Sequence, residues 1–254
     1  AAQKLRMIQR SGVGLDAIDL AELKLRGIPL YVNKGVNSQS VAEHTIMLML
    51  GTLRRLNHLN TMTRSGRWVK HDLGIHCHSL YGQQVGLVGL GDIGTQVCEM
   101  LKGFGVQVVY YKRNRLTLEQ ERRVGATYVS LDELLKNSGV VSLHCSLNDE
   151  TTAIIDQKRL ASMRATSVLI NTSRGQLVDE DALIRALQEG AIAGAGLDVF
   201  AKEPLPIGHP LLKMNNVLIT PHVSSITAQT FRSMMEAAFK NIELFHNGDC
   251  QGIS

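Results

Sequence analysis

The chain has 254 residues, a net charge of +4, 44% hydrophobic residues and 20% charged residues. This is an ordinary globular composition with enough length for one large or two moderate domains, which excludes a disordered or fibrous chain. No Lys/Arg block is long enough for a nucleic-acid stripe and no apolar run approaches a membrane span, so neither partner is expected.

The chain's opening residues do not read as a signal peptide, and none is expected. Its four cysteines, Cys77, Cys98, Cys145 and Cys250, lack paired spacing and read as reduced thiols of a cytoplasmic protein. Residues 5–9 read as a strand, followed by Ser11-Gly12-Val13-Gly14, a helix over 16–26 ended by Gly27, and a strand over 28–32. This α/β alternation starts abruptly, and the sequence reads as lacking the N-terminal part of a domain. Residues 33–39 form a polar loop. Residues 40–56 predict one long helix, apolar on more than one face and hence buried on more than one side, as packing against a second subunit would achieve. Trp68, the only tryptophan, sits in a polar loop and is expected to anchor on something such as a partner chain. His71, His76, Cys77 and His78 follow without the converging spacing of a metal site, so they read as a surface loop.

The most informative stretch is residues 84–115. A strand over 85–88 leads into Gly89, Gly91 and Gly94 as G-x-G-x-x-G. Ile93, Val97, Met100, Leu101 and Phe104 then mark one face of a helix, and a second strand covers 106–111. Gly89 permits a tight turn, Gly91 lets the backbone approach a pyrophosphate, and Gly94 lets helix and strand pack closely. The helix opened by Asp92 and Ile93 points free N–H groups at the phosphates. The second strand runs into Lys112, Arg113 and Arg115, where an acidic residue would otherwise meet ribose hydroxyls. Three cations suit a 2′-phosphate, so NADP is expected over NAD.

Downstream, helices are predicted over 118–124, 131–137, 156–163, 180–189 and 225–247. Strands are predicted over 140–145, 167–171, 192–199 and 217–220. Strands alternating with helices imply βαβ units and a parallel sheet, whose ligands bind at the strands' carboxyl ends. Arg174, Asp198, Glu203 and His222 all lie at such ends. Arg, Glu and His at one edge match the needs of hydride transfer to a 2-keto acid. A cation holds the carboxylate and polarises the carbonyl, an acid protonates the new alkoxide, and a carboxylate keeps that acid charged.

Together the stretches 12–16, 40–44, 89–94, 171–175, 196–204 and 220–225 resemble the D-isomer-specific 2-hydroxyacid dehydrogenase family over nearly the whole chain. The resemblance implies a Rossmann-type doubly wound parallel sheet over residues 34–223. It would be inserted in a smaller, N-terminally incomplete, flavodoxin-like substrate domain over 1–33 and 224–254, with a homodimer formed through the nucleotide domain. It implies His222 as acid/base, Glu203 as its hydrogen-bonding partner, and Arg174 on the substrate carboxylate and carbonyl, with Val13 and Gly14 at the carboxylate's other side. Asp198 would orient the nicotinamide carboxamide. Ser146 and Leu147 would lie near the adenosine, Thr172 and Ser224 near the nicotinamide. The substrates implied are hydroxypyruvate or glyoxylate. A 3-phosphoglycerate or phosphite oxidiser and a nucleotide-sensing corepressor remain open on the same scaffold, as does a fragment that binds cofactor alone.

Overall fold

The computed structural model describes residues 4–12, 14–15, 18–71 and 74–248. Val13, Asp16 and Cys250 therefore lie outside the described residues. The chain divides into two compact units, Ala1–Ser40 with Ser225–Ser254, and Val41–Ser224.

In the first unit, β1 (Ile8–Arg10) pairs in parallel with β2 (Leu30–Val32), and α1 (Leu20–Leu25) crosses between them. The sequence predicts this helix from residue 16. Its start at Leu20 is fixed by Asp19, whose side chain accepts the Glu22 N–H at 2.9 Å. Leu23, Ile28 and Leu30 form its small core. The closing helix, Ala228–His246 (α9 in chain order), is pinned to the strands by amides. Asn33 Nδ2 donates to the Met234 carbonyl at 2.8 Å, and Asn241 Nδ2 donates to Gln9 Oε1 at 2.9 Å.

The second unit opens on α2 (Ser38–Leu53), begun in the first, and α3 (Leu56–Arg64). One continuous helix over 40–56 is not what forms. Arg55 takes a left-handed conformation, φ +50°, which breaks the helix and starts a second one. Then follow β3 (Gln84–Val88), α4 (Asp92–Leu101), β4 (Gln107–Tyr111), α5 (Leu118–Val124), β5 (Thr127–Tyr128), α6 (Leu131–Asn137), β6 (Val140–Leu143), α7 (Gln157–Ser162), β7 (Val168–Asn171), α8 (Glu180–Gln188), β8 (Gly194–Leu197) and β9 (Val217–Ile219). Side-chain caps set several helix starts. Thr117 and Gln120 make a reciprocal capping box on α5, while Ser130, Asp156 and Asp179 cap α6, α7 and α8.

The seven strands are all parallel in the order β5-β4-β3-β6-β7-β8-β9. The order reverses between β3 and β6, and the crevice at the carboxyl ends of those strands is where an open α/β sheet takes its ligand. Alternation along the buried strands builds two cores. Val141, Leu143 and Leu169 face α6, α7 and α8, whereas Val140, Val168 and Ile170 face α2 and α4.

β8 shows why its sequence is Gly/Ala-rich. Ala195 and Leu197 fill one core, while Gly194 and Gly196 face α2. A Cβ on Gly196 would stand 2.7 Å from Thr52 Oγ1 and 3.1 Å from Leu48 Cβ. The helix can lie this close only because the strand is bare there. The chain's own sheet thus buries most faces of α2, for which the sequence suggested a second subunit. Met47 remains 44% exposed and Trp68 81% exposed.

Candidate active site

β7, β8 and β9 are neighbours, so the loops leaving their carboxyl ends lie side by side. These loops carry Arg174, Glu203 and His222. Nδ1 of His222 lies 2.7 Å from Glu203 Oε2, and the other carboxylate oxygen accepts the Phe200 N–H at 3.0 Å. Both oxygens of Glu203 are therefore held. A proton on Nδ1 is fixed toward the carboxylate, which leaves Nε2 as the free face of the ring. A groove of about 460 Å³ opens beside the pair, walled by Phe200, Pro204, Leu205 and Leu212.

The loop of Glu203 is itself seated by close approach. Gly175 follows Arg174, and a Cβ there would come within 1.9 Å of the Phe200 carbonyl carbon. Gln176 Nε2 donates to the Ala201 carbonyl at 3.1 Å, and Glu180 Oε2 accepts the Ala201 N–H at 3.0 Å. Arg174 is half-buried, with Nη1 donating to the Ser173 carbonyl at 2.7 Å. Asn171 shapes this turn, since its Nδ2 donates to the Arg174 carbonyl and its Oδ1 accepts the Ser173 N–H.

Asp198 is fully buried below the His222 loop. Its Oδ1 accepts from Thr220 Oγ1 at 2.5 Å and from the Val223 N–H at 3.0 Å, and its Oδ2 accepts the Ser224 N–H at 2.9 Å. The structure thus gives Asp198 an internal task that the sequence does not reveal. His44 Nε2 lies 2.9 Å from Thr220 Oγ1 and 3.6 Å from Asp198 Oδ1. Burial lowers the His44 pKa, and the Asp198 charge opposes that shift. Nearby, Thr45 Oγ1 donates to the Val41 carbonyl, so the 3.0 Å contact with Thr172 Oγ1 is donated by Thr172. The sequence alone marks no role for His44, Thr45 or Thr220. The run 40–44, and Thr220 two residues before His222, were the available signals.

The glycine turn fits a dinucleotide. Gly89, φ +97°, passes so close to the neighbouring strand end that a Cβ would lie 2.6 Å from the Cys145 nitrogen. A Cβ on Gly94 would lie 2.7 Å from the Gly89 carbonyl oxygen, while one on Gly91 would meet nothing within 4 Å. The turn is tight underneath and open in front of the α4 N-terminus, where Asp92 and Ile93 begin the helix. That is the cradle a pyrophosphate needs. Ser146 and Leu147 follow β6 at the same crevice. Gly14 belongs to the first unit, and Val13 lies outside the described residues.

The basic end of β4 divides. Arg115 is already paired: its Nε and Nη2 donate to Glu121 at 2.7 and 3.1 Å, and its guanidinium lies over the Tyr128 ring at 5.2 Å. Tyr110 OH donates to the same carboxylate at 2.8 Å. The Arg115 hydrogen bonds lower the Glu121 pKa, and burial pushes the Tyr110 hydroxyl up to about 12. Arg115 braces the loop, leaving Lys112 and Arg113 at its tip. Lys112 Nζ lies 3.4 Å from the Leu90 carbonyl, and Arg113 pairs with Glu150 at 2.8 Å.

Known proteins share this fold. Residues 46–224 match the family model for the NAD binding domain of D-isomer specific 2-hydroxyacid dehydrogenases. A glyoxylate reductase from Korarchaeum cryptofilum is 40% identical over 251 residues, 98% of this chain and 75% of that protein. The crystal structure of a glyoxylate reductase from Paecilomyes thermophila superposes with a TM-score of 0.87 at 37% identity, covering 94% of this chain and 71% of that one. A D-lactate dehydrogenase from Aquifex aeolicus, complexed with NAD and lactic acid, superposes with a TM-score of 0.89 at 33% identity, covering 99% and 79%. The chain belongs to the D-isomer specific 2-hydroxyacid dehydrogenase family, and is an NAD(P)-dependent oxidoreductase acting on CH–OH donors.

Proposed function

We propose that this protein reduces a small 2-keto acid, glyoxylate or hydroxypyruvate, to the 2-hydroxy acid with NADPH. The observation that carries the reading is the His222–Glu203 pair at 2.7 Å, clamped by the Phe200 N–H and placed on the strand edge that also presents Arg174. Bound at the glycine turn, the nicotinamide nucleotide supplies the hydride. Arg174 binds the substrate carboxylate and draws electron density toward the carbonyl oxygen. His222 delivers a proton from Nε2 to the oxygen that becomes the alcohol, and takes it back in the reverse direction. Glu203 holds the ring in the tautomer and orientation this needs. Thr172 and Ser224 line the nicotinamide end.

The cofactor preference rests on Lys112 and Arg113, which offer charge to a 2′-phosphate at the end of β4. Residues 1–33 with 224–254 serve as the substrate domain, and residues 34–223 as the nucleotide domain. Exposed Met47 and Trp68 suit a homodimer formed through the latter. Cys77, Cys98 and Cys145 are free, in keeping with a reducing cytoplasm, and no helix among the described residues is long and apolar enough to cross a membrane.

The test is the loss of NADPH, and separately NADH, absorbance with glyoxylate and with hydroxypyruvate. Faster turnover with NADPH on either acid supports the assignment. Faster turnover with NADH overturns the cofactor preference, and no turnover with any combination overturns both substrates.

A further inference from the structure

The Arg113–Glu150 ion pair has a position that its exposure alone does not suggest. Arg113 leaves β4 and Glu150 leaves the loop after β6, and these two strands flank β3. The 2.8 Å contact between Arg113 Nη1 and Glu150 Oε2 therefore bridges the carboxyl end of β3, where the Gly89–Gly91 turn begins. Both ends of the bridge stand on braced backbone. Asn148 Oδ1 accepts the Glu150 and Thr151 N–H groups at 3.0 and 3.1 Å, and Thr151 Oγ1 donates to the Ser146 carbonyl at 2.7 Å. Opposite, Arg115 is tied to Glu121, and the Leu116 N–H donates to Tyr110 OH at 3.0 Å. The two loops hold their places, and only the tips of two side chains must move to open the bridge.

We propose that Glu150 is a specificity-determining residue, which competes with the adenosine 2′-phosphate of NADP for Arg113. The proposal rests on the reading that a nicotinamide dinucleotide binds at this strand edge. Arg113 and Glu150 are 73% and 68% exposed, so their pairing is weak and easily exchanged. A phosphate monoester brings nearly two negative charges and three acceptor oxygens, and so displaces a single carboxylate from the guanidinium. Glu150 then remains beside a like charge, which lowers NADP affinity. NAD presents neutral hydroxyls at that position, so the bridge stays closed and Glu150 leaves its binding unaffected. Arg113 favours NADP while Glu150 moderates that preference, and the chain can be retuned at one acidic position without touching the glycine turn.

Calorimetric titration of the full chain with NADP+ and NAD+ tests this, with 2′,5′-ADP and 5′-ADP isolating the adenosine end. Glu150→Gln should bind NADP+ and 2′,5′-ADP about threefold to tenfold more tightly at low salt, with NAD+ and 5′-ADP changed less than about twofold. The gain should shrink at high ionic strength and disappear in an Arg113→Gln background. Unchanged NADP+ affinity in Glu150→Gln overturns the proposal, and so does an equal gain for NAD+. A wild type that binds NAD+ more tightly, together with a selective NADP+ gain in Glu150→Gln, refutes the NADPH preference while supporting the role of Glu150.

Discussion

The main-chain N–H of His222 donates to the carbonyl of Asp198 at 2.8 Å, and the Asp198 carboxylate accepts the N–H groups of the next two residues, Val223 and Ser224. His222 has φ +54°, a left-handed conformation that a non-glycine residue keeps only when its surroundings over-determine it. One buried aspartate supplies that determination for the proposed acid/base. Asp198→Asn cannot accept at both former oxygens and turns an N–H against an N–H. It should lose about 1–3 kcal/mol of stability, with at least about a tenfold fall in kcat. Thermal unfolding and steady-state kinetics with 2-keto acid check both effects.

Gly175→Ala should act on Glu203 without touching it. The new methyl has no room beside the Phe200 carbonyl, so the Phe200 loop must retreat, carrying away the N–H that clamps Glu203. Overpacking of this kind costs about 1–3 kcal/mol. A drop in kcat with unchanged dinucleotide affinity is the expected result. Full retention of kcat would show that the clamp is dispensable.

Glu203→Gln and Arg174→Lys should separate proton transfer from substrate binding. The glutamine keeps shape but loses the charge that His222 faces, and kcat should fall about a hundredfold with little change in KM. Lysine cannot reproduce the planar fork of arginine, and KM for the keto acid should rise about tenfold.

Stability should weaken in mild acid because of His144. Its Nδ1 is buried without a partner, its Nε2 meets Ser142 Oγ at 2.9 Å, and burial lowers its pKa to about 4. The unfolded chain takes up this proton near pH 6.5 and the folded chain only near pH 4. The stabilisation is therefore complete above pH 6.5 and is lost as pH falls toward 4, by on the order of 3 kcal/mol. His144→Gln lacks the titrating ring. Urea unfolding at pH 7 and pH 4.5 should show a smaller acid loss in the variant than in the wild type.

At two helices a local side-chain cap let the sequence carry the structure directly. Residues 118–124 and 131–137 form helices with those same bounds, because Thr117 and Ser130 cap them locally. The glycine turn was legible because short spacing encodes it, and the strand edge of Arg174, Glu203 and His222 because each follows the carboxyl end of a strand in a regular α/β alternation. What was hidden depends on partners set by tertiary packing. Arg115 reads as a phosphate ligand, and nothing local shows that the fold pairs it with Glu121, held by Tyr110, and lays it over Tyr128. The break at Arg55 is a single backbone conformation inside an apolar run, and the two-residue strand Thr127–Tyr128 is too short for any alternation to mark.

That short strand has a counterpart at the opposite border of the sheet. β5 has two residues and β9 three, so the seven-stranded sheet ends on both sides in strands with few open backbone groups. A foreign strand finds little to template on, which guards the longest hydrogen-bonded surface in the molecule against edge-to-edge aggregation.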